Sequence, residues 1–245
     1  MATTFHDWPR LSAEIKLEIL SYHLRFELPI GATMHKAVLE NELGNILRTR
    51  NQDLAALALE AYYKGNAFAM SICRGHGNKP SFSNLPEVNY PPKMYARLVK
   101  TLKITVGNCN PTVDEILLPQ SGWRFLLTSQ DTLESTAYTQ GGPIDHFNNT
   151  TAWQKLFSNV QKLDMTIIVS TSLGMHLDAH ENWCPHCSWP RKRLASLSEY
   201  IGQTEIGIQT ARVNLDLRID WGTSNPQCAC LDTIEGLLKG MMTKK

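Results

Sequence analysis

The residues best spaced for chemistry are two cysteines. Cys184 and Cys187 stand as a Cys-x-x-Cys pair inside GMHLDAHENWCPHCSWP, residues 174–190. That spacing lets two thiolates share one tetrahedral ion, each about 2.3 Å from it. His176 and His180 would complete a Cys2His2 set, as could Cys228 and Cys230. The same spacing also suits a thiol–disulfide pair. A redox pair needs its first cysteine at a helix N-terminus, where the dipole lowers the thiol pKa. Here Pro190 would fall about six residues into such a helix, removing a donor and clashing with the preceding turn. The expectation is therefore two reduced thiols in a loop packed by Trp183 and Trp189, with metal binding left open.

The tetrapeptide Cys184-Pro185-His186-Cys187 resembles the active site of periplasmic thioredoxin-like disulfide oxidases. The segment before it does not read as a strand, and no signal peptide is expected, so the resemblance stops at four residues. No phosphate-binding Gly-rich loop, nucleophile elbow or His-Glu-x-x-His zinc motif occurs. His6, His23, His35 and His146 have no partners readable from spacing, and Gly75-His76-Gly77 is a flexible turn. Neither an enzyme nor a cofactor is expected.

Composition sets further limits. The 245 residues carry 24 basic and 23 acidic side chains, a net charge of +1, and 42% are hydrophobic. That supports an ordinary globular core. It lacks the clustered basic excess that nucleic-acid binding requires. Arg191-Lys192-Arg193 and Lys244-Lys245 are too short to change this. The six tryptophans (8, 123, 153, 183, 189, 221) form no ladder for stacking bases and read as packing anchors. The first twenty residues contain His6, Asp7, Arg10, Glu14, Lys16 and Glu18, which no signal peptide would tolerate. No apolar run reaches the length of a membrane span. The expected setting is the cytoplasm or nucleus, where cysteines stay reduced.

The elements that would position any site begin with WPRLSAEIKLEILSYHL, residues 8–24. At 100° per residue it separates into two apolar stripes. Leu11, Ile15, Ile19, Tyr22 and Phe26 form one; Leu17, Leu20 and Leu24, beside Ala13, form the other. Ser12 is the expected N-cap, with Glu14 favourably placed in the first turn. A helix with two such stripes lies either between two layers of its own domain or between its domain and a partner.

LSAEIKLEILSYHL resembles the opening of an F-box, a Leu-Pro-x-Glu-Ile step followed by Ile-Leu-Ser-Tyr-Leu. Leu11, Glu14, Ile15, Ile19, Leu20, Ser21, Tyr22 and Leu24 agree with it. Ser12 stands where the family has proline, and His23 is one residue extra. NILRTRNQDLAALALEAYYKGNAF is similar to the second half of F-box-like proteins of filamentous fungi, in which an Ala/Leu-rich helix leads through an Asn turn into a strand. Of that family's Leu-Leu-Arg-x-Asn-Arg-Gln run, Arg50-Asn51-Gln52 keeps a part, and the segment 25–45 is longer than usual. SGWRFLL, residues 121–127, is a further shared phrase. The resemblance implies an adaptor that binds a Skp-type protein of cullin–RING ubiquitin ligases and holds a protein substrate, with Leu11, Ser12, Ile15, Ile19 and Tyr22 as partner-binding residues. Ser12 in place of proline puts that affinity in question. The rival readings are an F-box-like scaffold without adaptor binding, and a zinc-stabilised or Cys-x-x-Cys redox protein.

Beyond this module, Leu54, Leu57, Ala58, Ala61 and Tyr62 recur at helical spacing, with Gly65 as C-cap. Phe68, Met70 and Ile72 alternate as in a strand. A Gly/Pro/Asn-rich stretch, 74–92, reads as a loop and boundary. MYARLVKTLKITV and WQKLFSNVQKLDMTIIV each pair a short helical phrase with a strand, and ARVNLDLRID adds a third strand. The loops 107–121 and 129–150 lie between these units. Leu231, Ile234 and Leu238 mark a C-terminal helix expected to fray afterwards. The fold class is α+β. A helical F-box-like module, 1–72, precedes a mixed α/β region, 73–245, with a largely parallel sheet.

Overall fold

The computed structural model describes residues 8–72, 91–109, 122–129, 152–169, 191–219 and 229–244. After a short 3-10 turn, Trp8–Arg10, four helices follow: α1 Ala13–Leu24, α2 Ala32–Glu40, α3 Glu42–Leu47 and α4 Gln52–Gly65. Strand β1, Ala67–Ile72, leads into helix α5, Lys93–Ala96, and strand β2, Thr101–Cys109. Helix α6, Trp123–Leu126, and strand β3, Thr128–Ser129, come next. A 3-10 helix, Ala152–Phe157, then precedes strand β4, Lys162–Val169. The chain closes with helix α7 Arg191–Gly202, strand β5 Thr204–Glu205, strand β6 Arg212–Ile219 and helix α8 Ala229–Met242. The fold is α+β, N-terminal helices followed by a mixed region, as the sequence predicts.

The four long strands form one parallel sheet in chain order, β1-β2-β4-β6. Their sequences explain the geometry. β2 and β6 alternate apolar and polar residues, as β4 does up to Ile167, whereas β1 alternates large residues with small ones; the large apolar alternates point to one side, Ile168 excepted. Phe68, Leu102, Ile104, Val106, Leu163, Met165, Ile167, Leu215 and Leu217 are buried there. They share a single apolar core with Leu197 and Ile201 of α7 and Leu231, Ile234 and Leu238 of α8. Leu20 and Leu24 of α1 and Ala58, Ala61 and Tyr62 of α4 belong to the same core. β3 and β5 make a separate two-stranded antiparallel sheet that spacing did not reveal.

The N-terminal helices are tied directly to the sheet. The Ile30 amide donates to the Ala67 carbonyl and the Ala69 amide donates to the Ile30 carbonyl, each at 2.8 Å, so Ile30 covers the outer edge of β1. β1 itself pairs with β2 along six residues. A boundary at residue 72 thus falls after the first strand of the sheet. Two local readings change. α4 runs through Gly65 and Asn66 takes the capping position, because the Asn66 side chain can hold the helix end. α8 continues to Met242 instead of fraying, because that methionine is fully buried.

Close approach explains one glycine. At the joint of α2 and α3, a Cβ on Gly44 would lie 2.0 Å from the Leu39 carbonyl oxygen, so a side chain there would force the two helices apart. Arg50, just before α4, has φ of 60°. This left-handed backbone costs a non-glycine residue roughly 1 kcal/mol. Arg50→Gly is expected to raise stability by up to about 1 kcal/mol, since glycine adopts that conformation freely. Urea unfolding checks it. A loss of stability would show that the arginine side chain contributes more than its backbone costs.

Candidate functional site

α1 presents the first candidate surface. Ser12 caps it: its hydroxyl accepts a hydrogen bond from the Ile15 amide at 3.4 Å. Hydrogen bonds from the Glu14 amide and from the Ser12 hydroxyl hold the Glu14 carboxyl below its usual range. With the helix start fixed, the two stripes separate. Leu20 and Leu24 are 6% and 0% exposed, and Leu17 packs beside them against the core. On the other side Ile15 and Ile19 are 44% and 42% exposed and Tyr22 is 92% exposed. Leu28, just beyond the helix, is exposed too, whereas Leu11 is half-buried. Ser12 itself lies at the surface. Single exposed apolar residues need no explanation. Three at i, i+4 and i+7 of one capped helix form a contiguous stripe of the sort that marks contact sites.

Asn66 and an aromatic cluster hold α1 in place. The Asn66 carboxamide oxygen accepts from the Phe26 amide at 2.8 Å. Its NH2 group donates to the Leu24 and Tyr62 carbonyls at 2.7 and 2.8 Å. One buried side chain thereby joins the end of α1, the end of α4 and the start of β1. Beneath it His35, Tyr62, Tyr63 and Phe68 pack ring to ring. His35 Nδ1 lies 2.9 Å from the Tyr62 hydroxyl and Nε2 lies 3.5 Å from the Tyr63 hydroxyl. Burial lowers the His35 pKa to about 4. Burial also raises both tyrosines above their ordinary value, with Glu42 adding to the shift of Tyr62 and Tyr62 and Tyr95 to that of Tyr63. His35 therefore has partners that its spacing concealed. It is a neutral core residue bridging two hydroxyls.

The second candidate surface is the other face of the sheet. Parallel sheets are almost always covered on both faces by their crossover helices. Here the alternates opposite the core are Thr101, Lys103 and Thr105 of β2, Lys162, Asp164, Thr166 and Ile168 of β4, and Arg212, Asn214, Asp216 and Arg218 of β6. Lys103, Lys162, Arg212, Asn214 and Arg218 are exposed, and the others are partly buried, Asp164 with its Oδ1 buried. Register aligns Lys103 with Asp164 and Asn214, and Thr101 with Lys162 and Arg212. Lys162 Nζ lies 3.4 Å from Asp164 Oδ2, and the Arg218 guanidinium donates to Asp216 Oδ2 at 2.5–2.6 Å. The polar alternates of TLKITV, KLDMTIIV and RVNLDLRI carried this surface in the sequence. What periodicity could not supply was that one register would align them.

Cys184, Cys187, His176, His180 and Cys228 lie outside the described residues, and Cys230 falls in the first turn of α8. Among the described residues, no group of three or more His, Cys, Asp or Glu side chains could hold a metal ion. No described helix is long and apolar enough to cross a membrane. Of the tryptophans, Trp123 is fully buried and Trp8 packs against the core. Compared with protein-family models, curated proteins and solved structures, the chain gives no match in any of the three.

Proposed function

We propose that the protein works through protein–protein contact, as a substrate-adaptor subunit of a cullin–RING ubiquitin ligase in the cytoplasm or nucleus. α1 docks on a Skp-type adaptor protein through Ile15, Ile19 and Tyr22, with Leu11 and Ser12 at its entry. The observation that carries this reading is the division of α1. Leu20 and Leu24 are committed to the core, and a separate apolar stripe remains on the surface of a segment whose sequence resembles an F-box. Transferring such a stripe from water into a protein interface is favourable by about 25 cal/mol per Å2 buried.

The test is capture of a purified Skp-type adaptor by the full chain. Ile15→Asp is expected to weaken capture at least tenfold while moving the melting temperature by no more than about 2 °C, since exposed sites tolerate charge within about 0.5 kcal/mol. Adaptor binding that survives Ile15→Asp, or a wild-type chain that captures no adaptor, would overturn the reading. Ser12, capping α1 where the family has proline, favours a second reading: a scaffold of the same fold without adaptor binding. The wild-type capture measurement decides between the two.

A further inference from the structure

We infer that the polar face of the parallel sheet is a docking surface for an extended acidic polypeptide segment, the substrate side of the adaptor reading, on which this inference rests. The face carries four basic residues, Lys103, Lys162, Arg212 and Arg218, against two acidic ones, Asp164 and Asp216. Lys162 and Arg218 pair with those two carboxylates. Lys103 and Arg212 are exposed and have no ion-pair partner among the described residues. A chain with a net charge of only +1 thus places on one sheet face a basic excess that is unpaired among the described residues.

The spacing selects the ligand. Lys103 and Arg212 lie two strand spacings apart, with β4 between them, and are offset in register by two residues. At ordinary strand spacing and rise that places them about 12 Å apart. Carboxylates four residues apart on one side of an extended chain are separated by about 13 Å. On β4 the register places Asp164 beside Lys103 and Lys162 beside Arg212, while Thr101, Thr105 and Asn214, on the same strands as the two cations, offer hydrogen-bonding groups for the rest of such a segment. Nucleic acid fits less well: among the described residues of this face there is no aromatic side chain on which a base could stack.

Fluorescence anisotropy on the full chain tests this with three labelled probes: a decapeptide of alternating Glu and Thr, its Lys/Thr counterpart, and a ten-residue oligothymidylate. The Glu/Thr peptide should bind, and its affinity should fall several-fold between low and physiological salt as the charges are screened. The double variant Lys103→Glu/Arg212→Glu should lose at least tenfold in affinity, and Lys103→Gln or Arg212→Gln alone a few-fold. Lys36→Glu, on α2, should stay within twofold of wild type. Equal binding of the Lys/Thr peptide, tighter binding of the oligonucleotide, unchanged affinity in the double variant, or no binding of the acidic peptide would each overturn the inference. Ile15→Asp should leave peptide affinity unchanged. If adaptor capture fails while charge-selective peptide binding holds, the docking face stands and the adaptor reading falls. If capture succeeds and peptide binding fails, the reverse is true.

Discussion

Replacing Asn66 with alanine is expected to destabilise the protein by about 3–5 kcal/mol and lower its melting temperature by roughly 10 °C. The residue is 2% exposed, and its carboxamide makes three hydrogen bonds: one accepted from Phe26 and two donated to Leu24 and Tyr62. Removing it strips partners from an amide and two carbonyls that have little or no access to water. Each such group costs about 1–3 kcal/mol when left unsatisfied. Asn66→Asp sharpens the test. The carboxylate keeps the acceptor for Phe26 but faces two carbonyl oxygens with no donor, so it should be at least as damaging as alanine. Asn45→Ala is the control: its side chain is at the surface and bonds only to Arg48 among the described contacts. That variant should remain within about 0.5 kcal/mol of wild type. If Asn66→Ala melted within 2 °C of wild type, the side chain could not be what joins α1, α4 and β1.

Residues such as Asn66 show where the sequence stops being legible. Periodicity identifies α1, α4 and the four long strands because a buried face must recur every 3.6 or every two residues, whatever lies opposite it. Leu20 with Leu24, and Ile104 with Val106, are of this kind. Asn66 and Gln154 are different. Gln154 donates to the Leu126 carbonyl and accepts from the Gly207 and Ile208 amides, joining three segments distant in the chain. Such side chains are chosen for a single three-dimensional arrangement, and nothing repeats to announce them. The antiparallel pair β3 and β5 escaped for a related reason: two residues per strand are too few to show alternation. The short helical phrases before β2 and β4 are legible in position, and α5 and the Ala152–Phe157 turn each last only a turn or two. Of the candidate sites, the division of α1 is readable from angular position for Ile15, Ile19 and Tyr22, whereas Phe26, placed in the same stripe, lies beyond the helix end and packs against the core. The charge pattern on the sheet needed the register of three strands.

Acidification should destabilise the protein through His35. Its folded pKa is about 4, against 6.5 for the free side chain, because burial penalises the imidazolium. As pH falls below 6.5 the unfolded chain binds a proton that the folded chain refuses, so folding becomes less favourable. The stabilising contribution is present in full above pH 6.5 and is lost progressively down to pH 4. A shift of this size corresponds to about 3 kcal/mol in total. About 2 kcal/mol of it, or roughly 5 °C of melting temperature, should already be gone at pH 5. His35→Phe removes the titration while keeping a ring among Tyr62, Tyr63 and Phe68. The variant should be less stable than wild type at pH 7, having left two hydroxyls short of a partner, and should lose less stability between pH 7 and 5. Carboxylates add their own acid sensitivity to both proteins, so the informative quantity is the difference between the two curves. Parallel curves for wild type and His35→Phe would mean that the imidazole takes up its proton without leaving the core. The tyrosine cage would then have to accommodate a charge that its burial is expected to exclude.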